Sequence, residues 1–120
     1  KATSNICSNQ SLMALFVTVY LSLMGPDGLK KVNDLSYGGA HYLHDRLLAT
    51  GKFSDVFDRS FLKEFVLGTT LDTDVLQQSL LDAGFFGALR TEEGYVSFCV
   101  TERRTKAEID AMVDVIDKIG

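Results

Sequence analysis

Tryptophan is absent from this 120-residue chain, proline occurs once, and cysteine and histidine occur twice each. The cysteines, Cys7 and Cys99, lie far apart and form no CxxC pair. That fits a reducing, cytoplasmic setting better than a disulfide scaffold. Basic residues number 12 against 16 acidic ones, for a net charge of −4, and no basic run offsets the balance. Nucleic acid is therefore not an expected partner. No GxGxxG, GxSxG, HExxH or Walker loop is present. No repeat, low-complexity tract or linker breaks the chain. Its longest apolar run, residues 11–24, is shorter than the ~20 residues a bilayer requires and contains Ser11, Thr18 and Ser22. No membrane association is expected.

What is present begins with contrast. Residues 3–10 (TSNICSNQ) are mostly small and hydrogen-bonding, whereas residues 11–24 are apolar on nearly every face. Polar capping residues running into an apolar stretch mark a loop that ends at a helix N-terminus, with Ser8 or Asn9 as the cap. A surface helix cannot be apolar all round, so this one must be covered by the rest of the chain or by a partner. The chain has no initiator Met and no signal-peptide pattern, and this helix begins almost at once. It reads as a piece cut from a longer protein. The expected division is residues 1–24, a polar loop with a buried connecting helix, and residues 25–120, an α+β domain. With 46% hydrophobic and 23% charged residues, the composition is that of one globular domain.

Gly25-Pro26 stops the first helix, and Pro26 or Asp27 opens a second that runs to about Ala49. Leu29, Val32, Leu43 and Leu47 form one stripe of it. At Gly38-Gly39 either the helix breaks or another backbone comes close, and close approach is expected because the apolar period stays in phase on both sides. Strands are expected at residues 53–57 and 61–69, antiparallel through a tight turn at 58–60. Asp72 or Thr73 caps a third helix that Gly84 ends. Residues 85–89 read as irregular, 91–94 as a turn, and 95–100 as a strand with Val96, Phe98 and Val100 on one face. Thr105 and Glu108 form a capping box for a last helix striped with Ile109, Met112, Val113 and Ile116. Asp110, Asp114 and Asp117 fall on its outward face. The order implies an α+β fold, helices packed on a small, mostly antiparallel sheet.

Chemistry-bearing clusters are few. His41 and His44 sit three apart on a helix, but no third ligand accompanies them, so a packed or solvated pair is expected and no metal. Cys7 lies beside a helix N-terminus without a local base. Glu102-Arg103-Arg104 reads as a solvated turn. Residues 3–10 either only cap the helix, or line a site for a small anion with their hydroxyls, amides and backbone N–H groups.

The opening run KATSNICSNQSL resembles a signature of the glycine-cleavage P-protein family, the decarboxylating glycine dehydrogenases. The likeness continues through Val19-Tyr20-Leu21-Ser22-Leu23, Gly25, Gly28-Leu29, Ala40-His41-Tyr42-Leu43, Glu64-Phe65 and residues 100–105 (VTERRT). It is closer to the separate subunit 1 form than to the fused enzyme. The resemblance implies the small C-terminal domain of a fold-type-I pyridoxal-phosphate enzyme, plus the helix leading into it. It implies an assembly that decarboxylates glycine and passes the aminomethyl group to the lipoyl arm of the carrier H-protein. Subunit 2 and the missing large domain would be its partners. Pyridoxal phosphate would be carried by the other subunit, with none bound by this fragment, which alone should be inactive. No catalytic residue is assigned. Thr3, Ser4, Asn5 and Asn9 are expected to shape the pocket wall or the subunit interface. Without the resemblance, the same element order suits a stand-alone regulatory or protein-interaction module.

Overall fold

Glycine punctuates the chain at the point where the first helix was expected to end. In the computed structural model, which describes residues 10–120, Gly25 takes φ 61° and ψ −179° inside α1 (Ser11–Ala49), so the element is two helical runs meeting at a break. A positive φ is open to Gly at little cost, and Pro26 behind it has no N–H to continue the first run. The chain divides into two compact units, Lys1–Lys31 and Val32–Gly120.

Within the first unit, the large apolar side chains of residues 12–23 are exposed. The second unit holds the remaining elements: β1 (Phe53–Asp55), β2 (Glu64–Thr69), α2 (Thr73–Asp82), β3 (Leu89–Glu92), β4 (Tyr95–Cys99) and α3 (Lys106–Asp117). The strands form one sheet in the order β1-β2-β4-β3, and every neighbouring pair is antiparallel.

Register fixes which face is buried. Phe65 pairs with Phe98 and Leu67 with Val96, so these four side chains share one face with Phe53. Against them pack Leu43 and Leu47 of α1, Leu76 and Leu80 of α2, and Ile109, Val113 and Ile116 of α3, all nearly or wholly buried. Each helix contributes residues three or four apart, the spacing that places side chains on one stripe. At Gly39 an added Cβ would lie 2.9 Å from Val100 Cγ1. A close approach therefore exists at Gly39, but it is made by the Val100 side chain and not by another backbone, and the helix does not break there. Gly38 has open space beside it.

Caps fall where local chemistry placed them. The Asp72 carboxylate accepts from the Asp74 and Val75 N–H groups at 2.9 and 3.0 Å. Thr105 and Glu108 form the reciprocal capping box of α3.

Three expectations need correction. The first two strands are shorter than 53–57 and 61–69, and residues 56–63 make a longer loop instead of a tight turn. Phe57 is exposed, and Phe61 leaves the strand path to stack on His41, so neither aromatic serves the ladder. The second correction is β3, which runs through residues read as irregular and turn. Its four residues are all exposed, which removes the alternation that would have revealed it. Ala88, buried at φ 53°, turns the chain into that strand. Third, Asp110 does not lie on a bare solvated face but belongs to a polar cluster described below.

Candidate functional site

Thr3, Ser4, Asn5 and Asn9, the residues expected to line a pocket, lie outside the described residues, as does Cys7. The described unit offers three grooves instead. The largest, about 880 Å³, lies beside the loop 56–63 and is lined by His44, Asp55, Arg59, Phe61 and Glu64 among others. His44 reaches it from α1, where the i, i+3 spacing sets it beside His41 over the same loop. The His44 Nε2 donates to Asp55 Oδ1 at 2.8 Å, and its Nδ1 lies 3.4 Å from Asp45.

His41 donates from Nε2 to the Phe61 carbonyl at 3.2 Å and stacks on the Phe61 ring, centroids 4.1 Å apart. The pair thus packs the loop against α1. Among the described residues no group of three or more His, Cys, Asp or Glu is placed to hold a metal ion. The second groove, about 550 Å³, is lined by Asp72, Asp74, Arg90, Glu92 and Glu93. Asp72 is committed to capping α2, and Asp74 pairs with Arg90 at 3.2 Å. The third groove, about 370 Å³, sets the exposed thiol of Cys99 among Phe85, Phe86, Val100 and Met112.

Further contacts between distant parts of the chain were not readable from local spacing. Lys52, just before β1, donates from Nζ to the carbonyls of Ile116, Asp117 and Ile119 at 3.1, 2.8 and 2.6 Å. It adds a charged donor to the carbonyls at the end of α3, a cation at the negative end of the helix dipole. Another contact joins α1 to α3. The Tyr42 hydroxyl donates to Asp110 Oδ1 at 2.6 Å, and Arg46 Nη1 donates to the same oxygen at 2.6 Å. Lys106 donates to Asp110 Oδ2 at 3.2 Å, its ammonium 4.7 Å from the centre of the Tyr42 ring.

The Tyr42 hydrogen bond, reinforced by Lys106 and Arg46, holds the Asp110 carboxyl below the usual range, against the opposing effect of burial. Glu108 is held low by the Thr105 backbone and hydroxyl. A depressed folded value stabilises the fold above the ordinary carboxylate range, and that stability is lost as pH falls through the folded value. Asp110→Asn should therefore flatten the acid side of the stability profile below about pH 4. Urea midpoints measured at several pH values in that range, for both proteins, check it. An unchanged acid slope would contradict the assignment.

No lysine lines any of the three grooves, and Lys52 and Lys106 are committed to α3 and Asp110. The described residues do not fit a covalently held pyridoxal phosphate by themselves.

The all-antiparallel four-stranded sheet with helices on one face is an α+β architecture, and its match to a solved P-protein gives the class: the small domain of a fold-type-I pyridoxal-phosphate enzyme. A crystal structure of an inhibitor-bound glycine decarboxylase (P-protein) of the glycine cleavage system superposes with a TM-score of 0.88 over the whole chain, at 31% identity, using 28% of that protein. A phosphoserine aminotransferase from Cytophaga hutchinsonii shares the fold alone, with a TM-score of 0.65 over 87% of this chain and 30% of its own, at 14% identity. The family model for the glycine cleavage system P-protein matches residues 1–116. The chain belongs to the glycine cleavage system P-protein family. A probable glycine dehydrogenase (decarboxylating) subunit 1 from Prosthecochloris aestuarii is 41% identical over 100% of this chain and 28% of its own length. One from Moorella thermoacetica is 42% identical over 94% of this chain and 27% of its own. The chain thus spans little more than a quarter of the length of these relatives.

Proposed function

We propose that this chain serves as the small domain of subunit 1 of a decarboxylating glycine dehydrogenase, in a cytoplasmic assembly with subunit 2. The observation that supports the reading most is the family match over residues 1–116, which includes the polar opening segment. In the assembly, pyridoxal phosphate carried by the other subunit supplies the electron sink for decarboxylation. The aminomethyl group then passes to the lipoyl arm of H-protein. The role of this chain is to contribute walls to a site shared between subunits. Thr3, Ser4, Asn5 and Asn9 bring hydroxyl and amide groups suited to hydrogen-bonding a small substrate or a neighbouring subunit.

The test uses the full-length subunit 1 with subunit 2, H-protein and cofactor. Glycine–bicarbonate exchange is expected in that mixture and not from this chain alone. Asn5→Ala should lower exchange about tenfold, the loss of one hydrogen bond of about 1.4 kcal/mol. Ser4→Ala should act in the same direction. Unchanged kinetics and assembly for both variants would remove these residues from the site. Absence of exchange with all components present would remove the reading itself. A stand-alone regulatory module finds less support, because such a module does not leave a helix with Leu12, Phe16 and Leu23 uncovered.

A further inference from the structure

The loop 56–63 is longer than a tight hairpin needs, and two histidines fix it in place. His41 donates to the Phe61 carbonyl and stacks on the Phe61 ring, while His44 holds Asp55 at 2.8 Å. The loop nonetheless leaves Phe57 and Leu62 63% and 56% exposed. Neither belongs to the core of this unit. Beside the loop, Val56, Phe57, Phe61 and Phe65 give the groove of about 880 Å³ its apolar surface, at a size that holds ligands in other proteins. Its charges are mostly of one sign: Asp55, Asp58 and Glu64 line it against Arg59. Glu64 accepts from the Ser97 hydroxyl at 3.3 Å. Among the described residues Asp58, Arg59 and Glu64 form no ion pair, whereas Asp74, Glu108 and Asp110 on the same unit each have one.

We propose that this groove docks a segment of another polypeptide that presents an arginine between apolar residues. Charge complementarity selects the cation: carboxylates gathered in one concavity focus a negative potential that a guanidinium relieves. Arginine fits better than lysine, because its plane stacks on aromatic rings and its fork matches carboxylates. A small free cation is a poorer fit, since it would answer Asp58 and Glu64 and leave Phe57 in water. A second copy is a poorer fit too: the chain carries a net charge of −4, so two copies repel. Anionic lipid would likewise be repelled by a groove lined with carboxylates. The histidine contacts order the loop in advance, which lowers the entropy that docking would otherwise cost. Docking at this groove is independent of the glycine chemistry proposed above.

The probes are two short amidated peptides, each a run of leucine and phenylalanine around one central residue. That residue is arginine in one peptide and citrulline, its neutral isostere, in the other. Fluorescence anisotropy follows their binding to the full-length protein. The arginine peptide should bind about tenfold more tightly, the scale of one charged hydrogen-bonded contact. Salt should erase that preference in the parent protein. Asp58→Asn combined with Glu64→Gln should erase it as well, and Phe57→Ala should weaken both peptides. These side chains are exposed, and circular dichroism checks that the variants keep the fold. Equal binding of the two peptides, a preference that survives the paired substitution, or no binding at all would overturn the proposal. Binding by the 120-residue chain but not by the full-length protein would overturn it in favour of a groove covered by the protein's own chain. Self-association that Phe57→Ala abolishes would overturn it in favour of a second copy. Binding to phosphatidylglycerol vesicles that Phe57→Ala abolishes would overturn it in favour of a membrane. Glycine–bicarbonate exchange enters none of these outcomes, so the docking proposal and the functional reading fail separately.

Discussion

Phe98→Ala should destabilise the fold by about 4 kcal/mol, at the upper end of what single core truncations do. Phe98 stands in the middle of β4, 2% exposed, with its ring centre 5.8 Å from Phe65 and 5.9 Å from Phe53. Its removal would strip the sheet of the ring that two strands pack around, and a close-packed interior cannot relax to fill that volume. Thermal unfolding followed by circular dichroism should show the midpoint falling by about 15 °C, given the entropy of unfolding of a domain this size. Phe57→Ala provides the contrast. Phe57 is 63% exposed, and its loss should move stability by less than about 0.5 kcal/mol. Equal effects of the two truncations would contradict the core as described.

The second large effect is expected at a charged residue. Lys52→Met keeps most of the side-chain length and apolar stem but removes the ammonium that serves the Ile116, Asp117 and Ile119 carbonyls. Hydrogen bonds to charged groups contribute about 1.5–3 kcal/mol each in mutational series, and three on one ammonium do not add. A loss of about 2 kcal/mol is expected, with the last turn of α3 fraying first. Urea unfolding gives the total, and amide exchange over residues 115–119 locates it. Stability within 0.5 kcal/mol of the parent would show that water replaces Lys52 without penalty.

These two sites also mark where sequence reading succeeds and where it stops. Phe98 was legible because alternation in β4 is a local signal, as were Gly25, Asp72 and the Thr105–Glu108 box, whose partners lie within a few residues. Lys52 was not, since its acceptors lie 64 to 67 residues away in the chain. Nor were the Tyr42–Asp110 and His44–Asp55 pairs, separated by 68 and 11 residues. Asp110 read as a surface carboxylate because helical spacing gives the direction of a side chain without saying what stands opposite. β3 escaped because an edge strand with exposed polar residues has no period to detect. For the candidate site, the opening motif led to the family, whereas the roles of Thr3, Ser4, Asn5 and Asn9 rest on chemistry suited to the place and await the substitutions set out above.

The polar margin at β3 has a practical consequence for handling this chain. Arg90 and Glu92 sit on a short rim interrupted by a bulge, a poor template for adding strands from other molecules. Clumping of the isolated chain should therefore proceed through greasy helical surfaces and stay dispersible in mild detergent. Fibrils that bind amyloid dyes are not the expected product, and mutating the rim would do little for yield, whereas supplying the absent sequence would.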